Sequence, residues 1–128
     1  MKRITPMILA ALLLGAASAS AGLKVVATTS DLGNLAALVG GEDVEVSILC
    51  PGDSDPHYLP AKPSLARKLG KADLLVYNGL ELEVAWLPPL ITKARNPKVR
   101  PGAKGDLDCS TALTEILDVP GRGADRGQ

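Results

Sequence analysis

Phenylalanine is absent from this 128-residue chain, and other aromatics are scarce: two tyrosines and one tryptophan. Any core must therefore be aliphatic, built from Leu, Val, Ile and Ala. Histidine occurs once, as His57, and zinc takes about four ligands, so histidine alone cannot complete a zinc site here. Only two cysteines, Cys50 and Cys109, are present, too few for a disulfide-dense scaffold. Excess charge is also missing, with 14 basic and 14 acidic residues. Without a basic excess, nucleic acid is a poor partner, because a phosphate backbone rewards a positive patch. No G-x-S-x-G elbow of the α/β-hydrolase kind occurs.

Long apolar runs are lacking except at the N-terminus. Lys2 and Arg3 precede an apolar stretch, Ile8 to Leu14, and Ala17-Ser18-Ala19 and Ala19-Ser20-Ala21 offer small-residue cleavage sites. The run to Ala21 falls short of the about 20 apolar residues of a membrane span. We read residues 1–21 as a cleavable export signal, and the absence of a cysteine near the cleavage region as not indicating a lipid anchor. Residues 22–128 then carry all 14 carboxylates and are weakly acidic. Their length fits one small domain.

Leu23 to Thr28 reads as a strand, and Thr29-Ser30-Asp31 as a helix cap. Leu32, Leu35, Ala36, Leu38 and Val39 recur at helical spacing, and Gly40-Gly41 stops the helix. Val44 to Leu49 is a second strand. Lys62-Pro63-Ser64 opens a second helix that Gly70 closes, and Ala72 to Tyr77 is a third strand. A third helix is expected from about Glu83 to Ala94, kinked or restarted at Pro88-Pro89. A short fourth strand is expected within Val99 to Leu107. From Val119 the text is a frayed tail, which sets the domain at 22–118 and the tail at 119–128. Such alternation implies an α/β fold, a parallel four-stranded sheet flanked by helices. Ligands of such sheets bind beyond the carboxyl ends of the strands. Thr28 to Ser30, the His57 loop, Asn78-Gly79 and Asp108-Cys109 all fall at that rim.

His57 lies in Pro51-Gly52-Asp53-Ser54-Asp55-Pro56-His57-Tyr58-Leu59-Pro60. A neutral imidazole is a good ligand for zinc and related divalent ions, and Asp53 and Asp55 could add oxygen. Taken alone, this spacing is no strong metal signature, and a plain surface histidine remains the simpler reading.

The wider text is more specific. VVATTSDLGNLAALVGG (25–41), DPHYLP (55–60), KADLLVYNGLELE (71–83), WLPPLITKARNPKV (86–99) and PGAKGDLDCS (101–110) together resemble the N-terminal lobe of the periplasmic zinc/manganese-binding solute-binding proteins of ABC importers. The resemblance implies two α/β lobes joined by a long helix, with the metal between them. Each lobe supplies two ligands, and His57 matches the first position. The second would be a histidine in a GNPH-like segment after a DRS-like stretch, whose start Asp125-Arg126 resembles, so the chain reads as truncated to its first lobe. The implied cargo is zinc or manganese, and the implied partner is an ABC permease in the inner membrane. The implied compartment is the periplasm, and the implied role involves no bond chemistry. In this fold the sheet order would be 2-1-3-4. Cys50 and Cys109 would then lie on opposite edges, about 14 Å apart at the usual strand spacing, beyond the about 7 Å a disulfide tolerates. Two free cysteines are expected. Asn78, Gly79 and Glu81 match the loop that lines the cleft, with Glu81 more simply solvated than ligating. Trp86, Leu87 and Pro88 read as packing or rim residues, and Arg67, Lys68 and Lys71 as a wet helix face.

Two other classes stand beside this one. Gly52-Asp53-Ser54 with His57 is similar to the nucleophile block of one esterase class, although the usual flanking pattern is missing. A Cys50–His57 dyad is no better supported. The chain could also serve as a surface interaction module, or be an inactive fragment whose bare apolar face favours association.

Overall fold

The structure, a computed structural model, describes residues 22–116. The expected export signal (1–21) and tail (119–128) lie outside the described residues.

Strand β1 (Leu23–Thr29) is rich in β-branched residues, and its centre, Val25 to Thr28, is buried. Helix α1 (Ser30–Gly40) follows at once. Thr29 stands at the N-cap without a side-chain capping bond, because its hydroxyl instead accepts from Asn78 Nδ2 at 3.3 Å. Gly41, at φ 54°, stops the helix in a conformation that only glycine takes cheaply. Strand β2 (Val44–Cys50) leads into the His57 loop. Helix α2 (Pro63–Gly70) begins on a proline, whose missing N–H has no intrahelical partner at that position anyway, and buries Leu65 and Leu69 one turn apart. Strand β3 (Leu74–Tyr77) starts two residues later than expected.

Helix α3 (Leu87–Ala94) begins four residues later than the periodicity suggests. Leu80 and Glu81 have φ of 50° and 67°, which no right-handed helix accommodates, so residues 80–86 form turns. Pro88 and Pro89 therefore sit inside the first helical turn, and the expected kink does not arise. Strand β4 (Asp106–Asp108) is only three residues long. A 3₁₀ turn occupies Pro97–Val99. A side chain at Gly105 would collide with the carbonyl oxygens of Asp73 and Lys98, so the chain joins the sheet only beyond this close approach.

The four strands form one parallel sheet in the order β2-β1-β3-β4, as expected. Beneath one face, Val26 and Leu75 join Leu49, Leu65, Leu69, Trp86, Leu87, Leu90 and Val99 in the core. Leu69, Leu75 and Leu90 are fully buried, each worth roughly 1.5–3 kcal/mol of burial. Both cysteines are free; Cys50 ends β2 on one edge of the sheet and Cys109 follows β4 on the other. Among the described residues, no helix is long and apolar enough to cross a membrane.

Candidate metal-ligand loop

His57 follows the carboxyl end of β2, on the rim where parallel sheets bind ligands. Its Nδ1 lies 2.8 Å from Asp55 Oδ1, and the same oxygen accepts from the His57 backbone N–H at 2.9 Å. These hydrogen bonds hold the Asp55 carboxyl below its ordinary range, the backbone bond most. An ionised carboxylate only accepts, so in the neutral imidazole Nδ1 would donate to Asp55 and Nε2 would keep its lone pair. A carboxylate behind the ring nitrogen that faces away from the metal is the usual way to fix a ligand's tautomer. The imidazole is 61% exposed.

A second cluster on the same rim joins the turn after β3 (Asn78 and Gly79), the end of β1 (Thr28) and the approach to α3 (Glu83), and Trp86 links it to the His57 loop. Glu83 is buried at 3% exposure. Its Oε1 accepts from Thr28 Oγ1 (2.6 Å), Asn78 N–H (2.9 Å) and Asn78 Nδ2 (3.0 Å), and its Oε2 accepts from Gly79 N–H (3.3 Å). Gly79, at φ 78°, packs so closely on Asp108 and Ser110 that a side chain there would collide with both, which draws the tip of β4 into the same knot. The Trp86 indole N–H donates to Pro56 O at 2.7 Å.

Glu81 is exposed, in keeping with the solvated carboxylate expected there, and the buried carboxylate of this segment is Glu83, which the sequence did not single out. No spacing rule selects between them, because the left-handed residues at 80 and 81 upset both helical and strand alternation. Trp86 is both a packing residue and a rim residue, as expected of it.

The structure does not bring the other candidates together. Ser54 Oγ donates to Asp53, and no hydrogen bond joins Ser54 to His57 among the described residues. Burial, then the charges of Asp55 and Asp53, pushes the Cys50 thiol up, the wrong direction for a nucleophilic thiolate. A recess of about 200 Å³ beside Ser30, Cys50, Gly52 and Ser54 is not lined by His57. Among the described residues, no three of His, Cys, Asp and Glu are grouped to hold an ion. His57 and Asp55 pair with each other and belong to no such group.

Comparison with known proteins agrees with the fold. The profile described as zinc-uptake complex component A, periplasmic (ZnuA) matches residues 25–125. The metal ABC transporter substrate-binding lipoprotein SsaB of Streptococcus sanguinis is 35% identical over 82 residues, 62% of this chain and 26% of that protein. The manganese ABC transporter substrate-binding lipoprotein PsaA of Streptococcus pneumoniae is 36% identical over 80 residues, 60% of this chain and 26% of its own. The chain therefore spans about a quarter of the length of these curated relatives. The crystal structure of a ZnuA superposes at TM-score 0.52 with 33% identity, over 56% of this chain and 27% of that one. The Mn-bound periplasmic metal-binding protein of Candidatus Liberibacter asiaticus superposes at TM-score 0.63 over 79% of this chain and 35% of its own, and at 23% identity it supports the fold alone. With the profile covering most of the chain, the protein belongs to the ZnuA family of periplasmic zinc-uptake components.

Proposed function

We propose that this chain is the N-terminal lobe of the solute-binding component of an ABC importer. It captures zinc or manganese as cargo outside the inner membrane and presents the ion to a permease. Residues 1–21 direct export to the periplasm. The relatives SsaB and PsaA are named lipoproteins; for this chain we propose a cleaved signal without a lipid. The protein acts by binding, without making or breaking bonds in a substrate.

The observation that carries this reading is the Asp55–His57 pair, which fixes the ring of an exposed imidazole. His57 supplies one ligand, Asp55 orients it, and solvent completes the coordination in this lobe. Further ligands come from parts of the protein beyond the residues described. A lone imidazole binds divalent ions weakly, and zinc prefers about four ligands, so this lobe by itself is a weak binder.

Calorimetric titration with zinc and with manganese tests the proposal, run beside His57→Ala. Weak binding that His57→Ala abolishes is expected. Sub-micromolar affinity that survives His57→Ala would sink the assignment.

A further inference from the structure

The loop that presents His57 has few fastenings. Its backbone hydrogen bonds are local: Ser54 N–H to Pro51 O, Tyr58 N–H to Asp55 O and Lys62 N–H to Pro60 O. The Cys50 thiol reaches only the nearby carbonyls of Pro51 and Ser54. Leu59 and Ala61 pack against the core at the far end. Among the described residues, the hydrogen bond that reaches this loop from elsewhere in the chain is the one from the Trp86 indole.

Where that bond lands is informative. Pro56 O and the His57 N–H belong to the same peptide unit. The indole holds its oxygen side at 2.7 Å, and Asp55 Oδ1 holds its N–H side at 2.9 Å. The plane from which the imidazole springs is clamped at both ends, and Asp55 clamps the ring as well. A peptide held in this way pre-organises the ligand before the ion arrives.

Trp86 is in turn set by an unusual turn. Gly79, Leu80 and Glu81 take φ of 78°, 50° and 67° in succession. Only glycine enters that region without strain, so two neighbouring side-chain-bearing residues there need outside support. Glu83 provides it. Its carboxylate takes the Asn78 and Gly79 N–H groups at the start of the turn and ties them to Thr28 at the tip of β1. Its carbonyl then takes the Trp86 N–H at 3.2 Å and the Leu87 N–H at 2.9 Å.

We propose that Glu83 and Trp86 are positioning residues for His57. Glu83 fastens the strained turn to the strand tips, and the indole carried on that turn clamps the Pro56–His57 peptide. The inference rests on the reading of His57 as a metal ligand, and it adds that the ligand's aim is set from a different loop.

The test uses Trp86→Phe, which keeps a buried ring and removes the N–H, with zinc alone as the probe. Leu69→Val, a change in the same core that leaves the indole bond and the Asp55 pair in place, is the control for general loosening. Amide exchange of residues 54–58 in Trp86→Phe is expected to quicken about five- to tenfold, as for the loss of one hydrogen bond. Exchange in β1 and β3 should hold, and His57-dependent zinc affinity should fall by a comparable factor. Glu83→Gln should give the same loop signature and also free the Asn78 and Gly79 amides. Unchanged loop exchange, unchanged zinc affinity, or changes no larger than in Leu69→Val would each overturn the proposal. Zinc binding that survives His57→Ala overturns the ligand reading, while amide exchange still reports the clamp separately. If Trp86→Phe fails to fold, replacing the indole by benzothiophene removes only the N–H and decides the same question.

Discussion

The two faces of the sheet are finished to different degrees. On one, α2 and α3 lie side by side over Val26 and Leu75, and Leu69, Leu90 and Val99 have no exposure. On the other, among the described residues, α1 packs mainly over β1 and β2. Next to it runs an apolar groove of about 450 Å³ along Leu74, Val76 and Leu107, bordered by Leu35 and Val39 of α1. Val39 is 90% exposed and Leu38 81%. Parallel sheets normally have both faces covered. The difference teaches that, among the described residues, the tight packing lies mainly on one side of the sheet.

Breaking the finished face should cost most. Leu90→Ala or Leu69→Ala removes a side chain with no exposure and should lower unfolding free energy by about 2–5 kcal/mol, read by urea denaturation. A loss below about 1 kcal/mol would mean that this face is far less tightly packed than described. Glu83 lies at the rim, where the two faces share their strand tips. Glu83→Leu strands the buried Thr28 hydroxyl and the Gly79 N–H and should cost about 1–3 kcal/mol. Thr28→Val in that background should add little, because the pair acts as a unit.

Alkaline titration sharpens the comparison further. Burial pushes up the Cys50 and Cys109 thiols, with nearby carboxylates adding to it, and burial first, then Asp106 and Asp108, pushes the Tyr77 phenol up to about 12. Each group is harder to ionise folded than unfolded. Their contribution is therefore complete below the unfolded values and is lost as pH rises through them toward the folded ones. Urea midpoints should fall from about pH 8.5 upward, and Cys50→Ala should remove part of that fall. The smallest effect is expected on the open face. Leu38→Lys with Val39→Lys should change stability by no more than about 0.5 kcal/mol while reducing self-association in sedimentation. A large loss of stability would show that α1 is anchored through these side chains.

Much of this architecture was legible because period and punctuation agree. Gly40-Gly41 and Gly70 mark helix ends, Pro63 marks a start, and the strand runs alternate with helices as parallel topology requires. The strand order, and with it the free cysteines, was implied by the family resemblance and not by the periodicity. The start of α3 and the extent of β4 were not legible, because both depend on tertiary contacts. Leu80 and Glu81 take conformations that no propensity favours, and Gly105 is pressed against carbonyls distant in sequence. Of the site, His57 stood out by being alone. Asp55 was noted only as an added oxygen, and its role of holding the ring emerged with geometry. Glu83 was hidden next to Glu81, since a single sequence cannot tell which carboxylate of Glu81-Leu82-Glu83 turns inward.

The solitary indole beside Pro56 has a practical consequence. With no phenylalanine and no second tryptophan in the chain, near-ultraviolet emission excited at the red edge of absorption comes from position 86 alone. Its ring is buried while its N–H is bound to the peptide that carries the histidine. Any shift of that loop changes the field around one fluorophore against a dark background. The protein thus carries its own label beside His57, and if His57 is the ligand proposed above, the arrival of an ion can be timed by stopped-flow without adding a dye.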